Sequence, residues 1–330
     1  MLFYAHVLLG LGHVSRALAI AEAAARAGAR CALLASGLVE GLTPRGAVEL
    51  VKLPSAVQRE NLAERRALVQ RTIASWDPDC VLVDHLPLGL EGELVDSLLA
   101  HDRVRFVWGL PYASPGTRPR NPRLRAALAR YQAALAYTDP GWCDPFESGL
   151  ELLPAQRDYC GVIARPPEDP GPPSEPPLVV ALAGAGAGGA ELFDWLRDSL
   201  RGRARLRVVL GPLSDARLVS SADLEVLSEG AAEQSLRGAS LVVARAGYNT
   251  AYTLARSSLP VILAPLDTPQ SGAEQLERAE ALARLSGIWC LRRLDPAVLD
   301  EALAWRGRRE LPFRVDGAER AARFLLEAAL

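Results

Sequence analysis

The chain has almost no lysine. Lys52 is the only one in 330 residues, and every other side chain of high basicity is arginine. Schiff-base chemistry would have to run through Lys52 or not at all. The bias itself reads mainly as genomic base composition. Cysteine is also scarce. Cys31, Cys80, Cys143, Cys160 and Cys290 are scattered, with no CxxC pair and no histidine at ligand spacing. That argues against a disulfide framework and against a zinc site. Buried thiols in a reducing compartment are expected instead. Charge of one sign is lacking too. A net charge of -2 leaves no broad basic face for nucleic acid. No apolar run reaches the roughly 18 residues of a membrane span. The apolar start MLFYAHVLL has no basic flank of the secretory kind, so a cytoplasmic location is expected.

What is present is a hydrophobic fraction of 49% and a length that suits two cores. Short apolar runs alternate with helical periodicity. Strands are expected at 2–7, 31–35, 48–53, 79–84, 105–108 and 135–138, and helices at 14–27, 62–75, 91–100 and 124–135. Residues 164–177, ARPPEDPGPPSEPP, hold seven prolines in fourteen positions and read as a stiff connector. The alternation then restarts. Strands are expected at 178–183, 205–210, 224–227, 241–244, 261–265 and 287–291. Helices are expected at 190–200, 232–237, 275–285, 296–304 and 318–330, with a further helix after the turn at 245–250. The expected organisation is an N-terminal domain 1–163, a linker 164–177 and a C-terminal domain 178–330. The last helix is a candidate to cross back onto the first domain. Each domain would be a parallel sheet covered on both faces, with chemistry in the cleft between them.

Three glycine-containing strand–helix joints stand out. In Leu9-Gly10-Leu11-Gly12-His13, Gly10 and Gly12 permit a tight turn and a close approach to a ligand. His13 falls at the helix mouth, where the dipole favours the neutral ring. It reads equally as a base or as a helix cap. Gly184-Ala185-Gly186-Ala187-Gly188-Gly189 suits a phosphate, although it lacks the Gly-Lys-Ser/Thr ending of a P-loop and an acidic residue on the next strand. A flexible turn is the plain alternative. The third joint follows the strand at 241–244. Gly247 allows a sharp turn, Asn249 and Thr250 can cap the helix, and a diphosphate suits its N-terminus. Arg245 offers a cation or a structural ion pair. Glu274 and Gln275 open a later helix, where they could meet sugar hydroxyls or simply complement the dipole.

Across nearly all its length the chain resembles the GT-B glycosyltransferases, in the branch that includes the MurG-type N-acetylglucosaminyltransferases (glycosyltransferase family 28 type). GLGHVSRALAIAEA is similar to that branch's GxGHxxR opening. RAGYNTAYTLARSSLPVILAPL followed by EQLERAEALA is similar to its nucleotide-sugar signature, and the glycine loop at 184–189 to its second glycine-rich loop. VDHLPLGLEGEL and YTDPGWCDPFE resemble segments of an uncharacterised set within the branch.

The resemblance implies a GT-B fold of two Rossmann-like parallel-sheet domains. It implies an acceptor site near Gly10, Gly12, Asp84, His85 and Tyr112, with His13 as base. It implies a donor site at Gly186, Gly188, Gly189, Arg245, Gly247, Asn249, Thr250, Glu274 and Gln275. The expected reaction is transfer from a nucleotide diphosphate sugar, a UDP-sugar foremost, to an unidentified acceptor, with inversion and without metal or other cofactor. Two departures are noted. The glycine loop has no hydroxyl side chain, and His85 stands where a lysine-like residue is usual. A hydrolase or epimerase on the same fold and a non-catalytic nucleotide-sugar binder are the rival readings. Residues 108–125, WGLPYASPGTRPRNPRLR, mix aromatics with arginines. They read as a solvated loop or as a dock for a lipid-linked acceptor or an anionic membrane surface.

Overall fold

The computed structural model describes residues 1–6, 12–36, 44, 46–54, 61–112, 121–147, 153–167, 169–183, 189–211, 218–228, 235–266 and 272–328. The chain forms two compact units, Met1–Ile163 with Phe313–Leu330, and Ala164–Pro312.

The first unit is a seven-stranded parallel sheet in the order β3-β2-β1-β4-β5-β6-β7. Its strands are β1 (Leu2–His6), β2 (Cys31–Ser36), β3 (Val48–Leu53), β4 (Cys80–Asp84), β5 (Arg105–Leu110), β6 (Tyr131–Ala136) and β7 (Gln156–Tyr159). Its helices are α1 (Gly12–Arg26), α2 (Leu62–Trp76), α3 (Val95–Ala100), α4 (Pro122–Leu128) and α9 (Gly317–Ala328). β1 and β4 are buried at every position, as central parallel strands with both faces covered must be. Leu2, Tyr4, Val81, Val83 and Phe106 pack with Val69, Ile73 and Leu98 on one face. α1 and α9 lie against each other, with Ala321, Ala322 and Leu325 of α9 buried.

The return of the chain to this unit is held by polar contacts. Arg314 donates from its backbone N–H and Nε to the two oxygens of Asp139, at 2.5 and 2.6 Å. Val162 N–H donates to the Arg314 carbonyl at 2.8 Å.

The second unit is a six-stranded parallel sheet in the order β10-β9-β8-β11-β12-β13. It comprises β8 (Leu178–Leu182), β9 (Arg205–Leu210), β10 (Leu224–Ser228), β11 (Leu241–Ala244), β12 (Val261–Leu263) and β13 (Ile288–Cys290). Its helices are α5 (Ala190–Leu200), α6 (Tyr248–Ala255), α7 (Gly272–Leu282) and α8 (Pro296–Ala304). Arg309 reaches back into this unit. Its guanidinium donates to the carbonyls of Leu254, Ala255, Ser257, Leu259, Ser286 and Gly287, so it caps the end of α6 and fixes the entry to β12.

Four expectations change. The helix expected at 124–135 stops at Leu128, and YQAALA is β6, because pairing with β5 and β7 outweighs alanine's helix propensity. The helix expected from Glu91 begins at Val95, after Gly92 adopts φ +82°. The expected helix at 232–237 falls partly outside the described residues, and 235–238 form a turn. The proline-rich segment is not a bare connector. Gly238 N–H donates to the Pro170 carbonyl at 2.7 Å and Ser174 N–H to the Gly238 carbonyl at 3.0 Å, which ties it to the second unit.

Candidate active site

In the first unit, β1 lies between β2, its successor in the chain, and β4. Strand order reverses there, and in open α/β sheets ligands bind outside the strand C-termini at such a point. β1 ends in His6. His13 lies in the first turn of α1. β4 ends in Asp84, followed by His85. Three of the chain's four histidines therefore gather at one sheet edge. Their rings are nearly parallel, with centroids 4.3 Å apart for His6 and His13, 5.0 Å for His13 and His85, and 6.2 Å for His6 and His85.

Asp84 is fully buried and its charge is met from two sides. Arg16, also buried, donates from Nη2 at 3.1 Å and from Nε at 3.4 Å. His13 Nδ1 lies 2.5 Å from Oδ2. Arg16 Nη2 is also 2.8 Å from that nitrogen. A carboxylate only accepts and a guanidinium only donates, so the shorter Asp84 bond requires the proton on Nδ1. The Arg16 approach to that nitrogen is then no hydrogen bond, and the Nε2 lone pair is unused by Asp84. The His13 side chain is 24% exposed while Asp84 is closed off. Burial pushes the Asp84 carboxyl up, but Arg16 and His13 outweigh it and hold it well below the usual carboxylate range. His6 goes the other way. Burial first, then the charge it would share with His13, pulls it down to about 3. Its Nδ1 has no partner, so it stays a neutral ring packed on His13.

His85 is held in the left-handed region, φ +67°, a conformation that costs a non-glycine residue about 1–2 kcal/mol. Two bonds fix it. Its N–H donates to the Gly109 carbonyl and the Trp108 indole N–H donates to its carbonyl, both at 2.8 Å. Trp108 is thus a buried support within β5 and no part of a solvated loop or dock. Tyr112 is half-buried, and 113–120 lie outside the described residues.

The second unit repeats the topology. β8 lies between β9 and β11, and the reversal falls between β8 and β11. Gly189 caps α5 at φ +146°, where a Cβ would press on Phe193 at 3.0 Å. Gly186 and Gly188 lie outside the described residues, as does Gly10 in the first unit, while Gly12 opens α1. After β11 comes Arg245. Its Nη1 donates to the Ala264 carbonyl at 3.3 Å and its buried Nε has no partner. Burial pulls its guanidinium down, opposed by the charge of Glu191.

The cap of α6 is Gly247, with no side-chain capping bond. Asn249 and Thr250 sit inside the first turn, not at the cap, which corrects their expected capping role. The space a Gly247 Cβ would take is open. Gln275 is buried, and its Oε1 accepts from Leu266 N–H at 3.1 Å. Glu274 pairs with Arg278 one turn on.

Sequence reasoning missed His6, Arg16 and Arg278 as site residues. Arg16 and Arg278 had a signal, since each follows a named residue at helical spacing, His13 by three and Glu274 by four. His6 had none beyond its place at a strand end. Among the described residues, no group of three or more His, Cys, Asp or Glu is arranged to hold a metal ion, and no helix is long and apolar enough to cross a membrane.

No family model and no curated protein sequence matches the chain. Solved structures do. The spinosyn rhamnosyltransferase SpnG complexed with thymidine diphosphate superposes with a TM-score of 0.63 at 14% identity, covering 100% of this chain and 96% of its own. The calicheamicin glycosyltransferase CalG4 gives 0.61 at 14% identity, covering 99% and 94%. MurG of Acinetobacter baumannii gives 0.54 at 16%, covering 98% and 94%. At these identities the likeness is one of architecture, and the architecture is that of the GT-B glycosyltransferases, two parallel-sheet α/β units of seven and six strands.

Proposed function

We propose that the chain is a glycosyltransferase. It moves a hexosyl or N-acetylhexosaminyl group from a nucleotide diphosphate sugar to an acceptor hydroxyl or amine, with inversion and without a metal. The observation that carries the reading is the His13–Asp84 pair at the switch point of a GT-B unit. Asp84 holds the Nδ1 proton and the ring orientation. Nε2 takes the acceptor proton as the acceptor atom bonds to the anomeric carbon. The bond from that carbon to the diphosphate oxygen breaks, and its electrons leave with the diphosphate. Displacement from the opposite face inverts the centre.

The acceptor belongs to the first unit, beside Gly12, His13, His85 and Tyr112. The donor belongs to the second, beside Gly189, Arg245 and the turn from Gly247 to Thr250. There a cation and a helix N-terminus without a side-chain cap suit the charge that develops on the leaving group. The resemblance to MurG-type enzymes favours uridine as the base, while the thymidine diphosphate bound to SpnG supports a nucleoside diphosphate site more generally.

The test is thermal stability against UDP, thymidine diphosphate, GDP and ADP, with Arg245→Gln alongside. A ligand at a hundredfold above its Kd adds about 2.7 kcal/mol to folding stability. A melting shift with one diphosphate, reduced in the variant, supports the donor site and identifies the base. No shift with any of them refutes it.

A further inference from the structure

Three side chains of α7 are engaged by one another or by neighbouring loops, Glu274, Gln275 and Arg278, and the last is a buried arginine. Arg278 is 3% exposed. Its Nη1 donates to the Ala246 carbonyl at 2.8 Å, and its Nη2 is paired with Glu274. The guanidinium also lies 5.5 Å from the ring centroid of Tyr248, the first residue of α6. One planar group thus bridges the carboxylate of Glu274 and the turn that starts α6.

The charges make this arrangement informative. Glu274 is 28% exposed and only one guanidinium away from the Ala246-Gly247 turn. In the donor reading above, that turn receives a diphosphate. An uncompensated carboxylate so close would repel it, since like charges in a partly desolvated site disfavour binding strongly. Arginine suits the task, because its fork satisfies an acid and a carbonyl at once and it stays charged when buried.

We infer that Arg278 is a positioning residue that cancels the charge of Glu274, so that an anion can bind at the α6 turn beside it. The inference rests on the donor reading and adds to it a residue and an electrostatic reason. It accounts for an acidic side chain at a site meant for an anion.

The experiment is calorimetric titration of UDP and thymidine diphosphate into the wild type, Arg278→Gln, Arg278→Lys, Glu274→Gln and the double variant Glu274→Gln/Arg278→Gln. Arg278→Gln is expected to weaken binding about tenfold or more. The double variant is expected to recover to within about threefold of wild type, because both charges are then gone. Arg278→Lys, which keeps the charge, should stay near wild type. A merely structural arginine would show no recovery in the double variant, and that result overturns the inference. So does wild-type affinity in Arg278→Gln. If Arg278→Gln does not fold, the Lys variant decides: a loss of tenfold or more overturns charge cancellation, and near wild-type affinity supports it. If the wild type binds neither diphosphate, the donor reading falls and this inference falls with it.

Discussion

β1 and β8 hold the same place in their sheets. Each is third from one edge, flanked by its successor on one side and by the fourth strand of its unit on the other. The chemistry at their ends differs. Beyond β1 stand ionisable side chains, with His6, His13, Asp84, Arg16 and His85 in mutual contact or close by. Beside β8 the chemistry is largely backbone. A glycine-capped helix, a half-buried arginine and two side chains of α7 hold loop carbonyls and N–H groups in place. The topology supplies a location and leaves the chemistry to the residues placed there. In the proposed reaction the first unit holds and moves a proton, and the second meets an anion.

The largest effect expected from breaking this contrast is on turnover. His13→Ala should lower kcat by about 10²–10⁴, the usual worth of a positioned general base, while nucleoside diphosphate affinity stays within about twofold. Asp84→Asn should also lose turnover, since the amide can donate to Nδ1 and so favours the wrong tautomer. Steady-state kinetics on both variants checks this.

Stability comes next. Arg309→Ala should destabilise the second unit by about 2–3 kcal/mol, because a half-buried charged donor shared by six carbonyls is lost and they are left underbonded. Hydrogen exchange should show the loss in β12 and α6 and leave β1 and β4 unchanged.

Acid should also separate the units. His6 titrates near 3 in the folded chain and near its ordinary 6.5 when unfolded. Between those values the unfolded chain binds a proton that the folded one does not. Stability therefore falls as pH drops from 6.5 toward 3, with a slope of up to about 1.4 kcal/mol per pH unit from this group. Asp84 adds to the loss at lower pH, since its folded value is depressed and its contribution is present only above the ordinary carboxylate range. Hydrogen exchange at falling pH should open β1 and β4 before β8 and β11. His6→Phe should flatten the upper part of the profile.

The smallest expected effect lies on the surface of the first unit. Arg26 and Glu319 pair at 3.1 Å between α1 and α9, both more than half exposed. Arg26→Ala should change stability by less than about 0.5 kcal/mol, since α9 is held by its apolar face and exposed pairs contribute little. A melting curve for that variant is the check.

Much of the fold was legible. Alternating apolar runs and helical periodicity locate most of the elements, because central parallel strands are apolar throughout and helices are not. β7 escaped, since QRDY is a polar, exposed edge strand with no alternation to read. β6 escaped in part, since its alanines favour a helix that sheet pairing overrides. The glycine joints could be read as ligand-facing turns. What could not be read was who touches whom. His13 and Asp84 are 71 residues apart and lie 2.5 Å from each other only once β1 and β4 pair. The engagement of Glu274 by Arg278, and of Gln275 by Leu266, likewise depends on where α7 docks.

The most direct test is release of nucleoside diphosphate from UDP-sugars and thymidine diphosphate sugars, with and without an acceptor library, for the wild type and His13→Ala. The account predicts acceptor-dependent release by the wild type that is lost in the variant while diphosphate binding persists. Release that continues undiminished in His13→Ala, or none from any donor by a wild type that binds the diphosphate, would contradict it.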